Sequence, residues 1–115
     1  MAKYMFVFRG GAFATPGVSP TELQAHLAKW TAWVGELAKQ GRHHAGGHPL
    51  QNAAKVVRGR DKQVTDGPFA ESKDMLTGTL VIEAASLDEA TRLALDCPVY
   101  LYDGSVEVRP ILERG

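Results

Sequence analysis

The stretch Thr65-Asp66-Gly67-Pro68-Phe69-Ala70-Glu71-Ser72-Lys73-Asp74 packs unlike chemistry into ten positions. Asp66 offers a carboxylate in an Asp-Gly turn. Such a group either accepts backbone N–H bonds and shapes the turn, or acts as a general base or as the acid that orients a histidine. Glu71 and Lys73 lie two apart. On an extended segment they share a face, where they form an exposed ion pair or hold an anionic ligand. Phe69 reads as a plug that packs the loop onto the core.

Histidine supplies the other candidate chemistry. His43, His44 and His48 follow one another in Arg42-His43-His44-Ala45-Gly46-Gly47-His48-Pro49-Leu50. Imidazoles bind zinc, copper and nickel. Here, though, glycines interrupt the segment and no further cysteine or carboxylate stands at ligand spacing, so no metal is expected. If Arg42 to Gly46 is a strand, His43 and His44 point to opposite faces. One of them near Asp66 would make an acid–base pair. Arg109, on the last strand, is a candidate for holding an acidic group or for pairing near Glu107. His26 flanks an apolar helix stripe and reads as a boundary histidine. Cys97 has no adjacent base to activate it.

Composition narrows the function classes. The chain has 115 residues, 13 Lys and Arg against 13 Asp and Glu, and 44% hydrophobic residues. That describes one globular domain, residues 1–115. A zero balance gives no reason to expect a nucleic-acid partner. The lone cysteine excludes an intrachain disulfide and fits a reducing, cytoplasmic setting. No apolar run approaches the roughly 18–20 residues that cross a bilayer, and the N-terminus does not read as a signal peptide. There is no GxxxxGK[ST] loop, no GxGxxG after a strand and no CxxC pair, so no cofactor is expected.

The elements that must position these groups are legible. Tyr4 to Phe8 is a strand that is apolar on both faces. Ser19-Pro20-Thr21-Glu22 opens a helix with a capping residue, a proline and a capping-box glutamate. Leu23, Leu27, Trp30, Val34 and Leu37 form its stripe, and Gly41 suits its C-terminal cap. Ala54–Arg58 and Gln63–Thr65 flank Gly59-Arg60-Asp61-Lys62 as a hairpin. Thr79–Glu83 is a strand. Ser86-Leu87-Asp88-Glu89 opens a second helix with Leu87, Ala90, Leu93 and Ala94 inward, and Pro98 stops it. Val106–Arg109 is the last strand, limited by Pro110.

Two strand–helix units around a hairpin predict an α+β fold, a ferredoxin-like α/β sandwich. Two helices cover one face of such a sheet. Met5, Val7 and Val81 would then stand on the bare face, which predicts a homodimer stacked sheet on sheet.

Val64 to Asp74 resembles the signature of the YCII-related family, in its DGPF-domain branch. Trp33 to Gly41 followed by Gly46-Gly47-His48-Pro49-Leu50, Ser86 to Pro98, and Gly104 to Ile111 resemble further segments of that family. The resemblance implies a dimeric α/β barrel with Arg42 to Gly46 as second core strand and the 54–66 hairpin as an insertion. In the broader group a buried His–Asp pair, its histidine on the first helix, has been proposed as an acid–base site, and one similar protein acts in dehalogenating an aromatic ring. Counting back from Gly41 puts Trp30 at that histidine's place, not His26. Some DGPF-type proteins occur beside sigma-factor-like proteins. Two functions are therefore expected in parallel. The first is a small enzyme moving a proton on a small anionic or aromatic molecule, with Asp66 and His43 or His44 as catalytic groups and Lys73, Arg109 and Glu71 as ligand contacts. The second is a non-catalytic ligand-sensing or interaction module linked to transcription.

Overall fold

The structure is a computed structural model that describes residues 1–67 and 72–113. Phe69 and Glu71 lie outside the described residues. The element order is β1 (Ala2–Arg9), α1 (Pro20–Lys39), β2 (His43–Pro49), β3 (Ala54–Arg58), β4 (Gln63–Gly67), β5 (Leu76–Ala84), α2 (Leu87–Ala94) and β6 (Ser105–Pro110). Four strands form one sheet in the order β2-β5-β1-β6, with every pairing antiparallel. Each helix connects two strands that lie on either side of a third. This split β-α-β pattern is the mixed α+β arrangement of a ferredoxin-like sandwich.

Local chemistry fixes both ends of α1. The Ser19 hydroxyl accepts the Glu22 N–H at 3.1 Å and donates to the Glu22 carboxylate at 3.2 Å. At the other end Gly41 adopts φ 74°. Its N–H reaches Ala38 O at 3.0 Å, and the Arg42 N–H reaches Leu37 O at 2.8 Å. This is the two-bond glycine cap that ends many helices. In α2 the Ser86 hydroxyl accepts from Glu89 N at 3.1 Å, while the Glu89 carboxylate accepts from Ala85 N at 3.0 Å and pairs with Arg42. The Ala85 N–H, with Arg42 beside it, holds the Glu89 carboxyl below its usual range, against the opposing effect of burial. The cap thus also ties α2 to the start of β2.

The core lies between the sheet and the helices. Tyr4, Phe6 and Phe8 of β1 and Leu80, Ile82 and Ala84 of β5 meet Trp33 and Leu37 of α1 and Ala90 and Ala94 of α2. Burying a side chain such as Phe6 contributes about 1.5–3 kcal/mol. Phe6 stacks on Trp33 with centroids 6.0 Å apart, and Phe8 meets Trp30 edge-on at 4.8 Å.

The buried stripe of α1 departs from the sequence expectation. His26, Trp33 and Leu37 are buried, whereas Leu27 is 42% exposed. The helix is turned so that Trp30 and Trp33 meet the aromatic rings of β1, Leu37 stays in the core, His26 packs against Phe13 and Tyr102, and Leu27 is left outside. In α2, Leu87 is also exposed.

The opposite sheet face is partly apolar. Met5 and Val81 pair directly across β1 and β5 and are half-buried. Val7, expected to stand bare, is already buried within the single chain. Arg9 and Glu107 join beside it at 2.6 Å.

β3 and β4 form a separate two-stranded antiparallel ribbon. Lys55 stands opposite Asp66, and Val57 opposite Val64. Both valines are more than 60% exposed. A two-stranded ribbon alone has marginal stability in water.

Candidate functional site

A cavity of about 400 Å³ opens between α1 and the β2–β5 side of the sheet. Its wall is Phe8, Phe13, Leu27, Trp30 and Val34, with His48, Thr31, Thr77 and Thr79 as the polar groups. A mostly apolar, aromatic wall with a few polar groups is the usual make-up of a small-molecule site. The rotation of α1 shapes it: Leu27 is turned off the sheet and exposed at its side, while Trp30 and Val34 are half-buried between the cavity and the core. Glycines leave the other wall low. A Cβ at Gly78 would lie 3.1 Å from His48 O, and one at Gly46 would lie 3.2 Å from Thr79 O. Side chains there would collide with the neighbouring strand, and β2 could not run this close to β5.

His26 sits behind that wall. Its ring lies 6.2 Å from Trp30, 6.2 Å from Phe13 and 5.0 Å from Tyr102, all edge to face. It is 3% exposed. The Trp30 Nε1–H donates to His26 Nε2 at 2.8 Å. His26 Nδ1 is buried with no hydrogen-bond partner among the described residues. Leaving a buried polar group unpaired costs about 1–3 kcal/mol, so Nδ1 calls for a partner, whether water, ligand or protein. Desolvation, and after it the charge of Lys29, lower the pKa of His26, so the ring is held neutral.

The residues expected from the sequence to form the site are dispersed. Asp66 lies on the ribbon, pairs with Lys55 and has an 83% exposed side chain. His43 stands opposite Ile82 in the β2–β5 ladder, with Nε2 3.4 Å from Gly46 O. His44 is exposed on β2. No hydrogen bond joins Asp66 to either histidine among the described residues, because the β3–β4 ladder sets Asp66 against Lys55 instead. Arg109 lies on β6, at the far edge of the sheet, 3.6 Å from Glu107. Lys73 lines a second, shallower cleft with Tyr102, Gly10 and Thr15. Glu71 lies outside the described residues. Of the histidine run, His48 is the member that lines the cavity.

Sequence reasoning passed over His26, Trp30 and Phe8 as site residues. The available signal was a histidine one helical turn before a tryptophan on a helix otherwise lined by apolar groups. Cys97 is buried, and its thiol is pushed up to about 12 by desolvation, which leaves it unreactive. Among the described residues no group of three or more His, Cys, Asp or Glu could hold a metal, and no helix is long and apolar enough to cross a membrane.

A family model for the YCII-related domain matches residues 5–114. The chain belongs to the YCII-related family. The uncharacterized protein R00369 of Rhizobium meliloti (strain 1021) is 51% identical over 49 residues, which is 42% of this chain and 40% of that protein. The chain thus matches well under half the length of that relative. Among solved structures, this YCII-related protein is similar to 5-chloro-2-hydroxyhydroquinone dehydrochlorinase (TftG) from Burkholderia phenoliruptrix AC1100, in complex with 2,5-dihydroxybenzoquinone. The TM-score is 0.48 at 20% identity, over 97% of this chain and 95% of that one. A similarity at that level does not bear on what this chain binds.

Proposed function

We propose that this YCII-related protein is a small homodimeric enzyme of the DGPF branch, cytoplasmic, that moves a proton on a small organic molecule held in the α1–β2–β5 cavity. One observation carries the reading: a buried His26, with a ring nitrogen unpartnered among the described residues, packs against Phe13 and Trp30 of the aromatic wall of a ligand-sized cavity. His48, a residue of the cavity wall, is read as the group that takes or gives the proton. Thr31 supplies a hydroxyl that can orient a polar substituent. The Thr77 hydroxyl is already engaged by Phe8 O and Gly10 O, and Thr79 pairs with Val7, on the opposite face of the sheet. The half-bare Met5–Val81 pair is the proposed contact with the second copy, and the β3–β4 ribbon is read as an insertion. The buried, unreactive Cys97 fits a reducing compartment.

The test is ligand binding followed by turnover. Small anionic aromatics are screened by thermal shift, and hits are mapped by NMR. The reading expects shifts at Phe8, Trp30 and Thr79, and proton exchange on the bound molecule that slows at least about 100-fold in His48→Ala. Binding without any His48-dependent exchange would leave a ligand sensor in place of an enzyme.

The second reading, an interaction module, has its own observation: the exposed Val57–Val64 pair on a ribbon that joins no other strand among the described residues. It expects a protein partner whose capture is lost in Val57→Ser/Val64→Ser while cavity binding is retained.

A further inference from the structure

The indole of Trp30 leaves His26 one way to carry its proton. An indole N–H can only donate, and this one points at His26 Nε2 at 2.8 Å. Nε2 must therefore present its lone pair. A neutral imidazole keeps its single proton on the other nitrogen. In His26 that nitrogen is Nδ1, the buried atom with no partner among the described residues.

The surroundings favour the same state. Lys29, on α1 itself, opposes a second positive charge. From the turn Pro98–Tyr102 the ring of Tyr102 packs on His26, and its hydroxyl donates to Glu22 Oε2 at 3.4 Å. From the turn Ala12–Ala14 the facing group is the uncharged Phe13. The carboxylate of Glu22 is thus engaged by Tyr102 rather than by the imidazole.

We propose that His26 is a fixed hydrogen-bond donor with Trp30 as its positioning residue, and that the site takes a flat, largely apolar molecule carrying an oxygen acceptor, such as a carbonyl or phenolate oxygen. The proposal rests on the cavity being a ligand site and adds the ligand's chemistry. A general base needs a free lone pair, and Trp30 occupies the one that His26 has. An Nδ1–H aimed at a ligand oxygen instead stabilises negative charge that develops there, as an enolate or phenolate forms. His26 does not itself line the cavity and its Nδ1 is buried, so the acceptor reaches it when Phe13 or Trp30, the two cavity-wall residues that flank the ring, moves aside. His48 is then left as the group that moves the proton.

Two measurements test this on the full chain. Long-range ¹H–¹⁵N spectra of labelled protein at neutral pH read the His26 tautomer directly. The expected state is protonated Nδ1 and bare Nε2, and Trp30→Phe should lose that bias. The second measurement titrates acetophenone and α-methylstyrene, which share a shape and differ by an oxygen against a methylene. Acetophenone should bind about tenfold tighter and shift His26 Nδ1, and the preference should collapse in Trp30→Phe. Finding His26 protonated on Nε2, or doubly protonated, overturns the proposal. So does equal binding of both probes with cavity resonances shifted and Nδ1 unmoved, an outcome that leaves the cavity reading standing. If neither probe perturbs the cavity while His26 carries its proton on Nδ1, the cavity reading fails, and the ligand assignment with it.

Discussion

Trp30 and His26 stand one turn apart on α1, and the indole N–H of the first donates to Nε2 of the second at 2.8 Å. The same indole ring packs edge-on against Phe8 and forms part of the cavity wall. One side chain therefore joins the core, the cavity and the buried imidazole.

Replacing that side chain should be felt in stability. Trp30→Phe keeps an aromatic ring against Phe8 but removes the donor, leaving both nitrogens of His26 without a partner among the described residues. The expected loss is about 1–3 kcal/mol. Urea denaturation checks it through a lowered midpoint at unchanged slope. An unaltered midpoint would mean that the Trp30–His26 bond contributes nothing.

The pH dependence follows from the lowered pKa of His26, caused first by desolvation and then by Lys29. In the unfolded chain the imidazole takes a proton near its ordinary value of 6.5. In the folded chain it resists protonation to lower pH. The unfolded state thus binds more protons between the two values, and this contribution to stability is full above 6.5 and lost as pH falls toward the folded value. Wild-type stability should drop across that window more steeply than that of His26→Phe. Parallel melting curves of the two proteins from pH 7.5 to 5 read the difference, and identical pH slopes would contradict it.

Gly104 is a backbone constraint that can be tested apart from function. A Cβ there would meet Val99 Cγ2 at 2.3 Å and Arg9 O at 2.8 Å. Val99 is 1% exposed, so it has little room to yield. Gly104→Ala should destabilise by about 1–3 kcal/mol through overpacking, measured by thermal unfolding. Gly17→Ala is the contrast: no atom stands near its Cβ position, but its positive φ adds strain of about 1 kcal/mol.

The sheet face bearing Met5 and Val81 makes the proposed dimer testable. Val81→Lys puts a charge into the centre of that face, next to Met5, and should weaken self-association by at least about 100-fold, since burying an unpaired charge costs several kcal/mol. Sedimentation velocity over a concentration series reads it. A wild-type protein that stays monomeric at high concentration would remove the dimer, and Val7, already sheltered by its own chain, shows how that could come about.

The ends of α1 are readable in sequence because capping is local: Ser19, Pro20 and Gly41 act on their immediate neighbours. The rotation of the helix is not local. Leu27 and His26 differ by one position, and choosing between them depends on Phe8 across the core and Tyr102 far along the chain. A histidine among leucines therefore reads as a boundary until those rings are in place. The surroundings of Asp66 were hidden for the same reason. The Asp-Gly pair reads as a turn, but the ladder with β3 carries both residues in strand β4 and sets Asp66 opposite Lys55. His48 was recognisable only as one imidazole of three, and its place in the wall depends on how closely the glycines let β2 approach β5.

The central claim is that the α1–β2–β5 cavity binds a small molecule. The most direct measurement is a two-dimensional ¹H–¹⁵N titration of the full chain with small anionic and carbonyl-bearing aromatics, including acetophenone. Saturable shifts should cluster at Phe8, Trp30, Thr79 and the His26 ring, and a ligand at 100 times its dissociation constant should add about 2.7 kcal/mol of stability. Shifts confined to the β3–β4 ribbon or the β6 edge, or none at millimolar ligand, would contradict it.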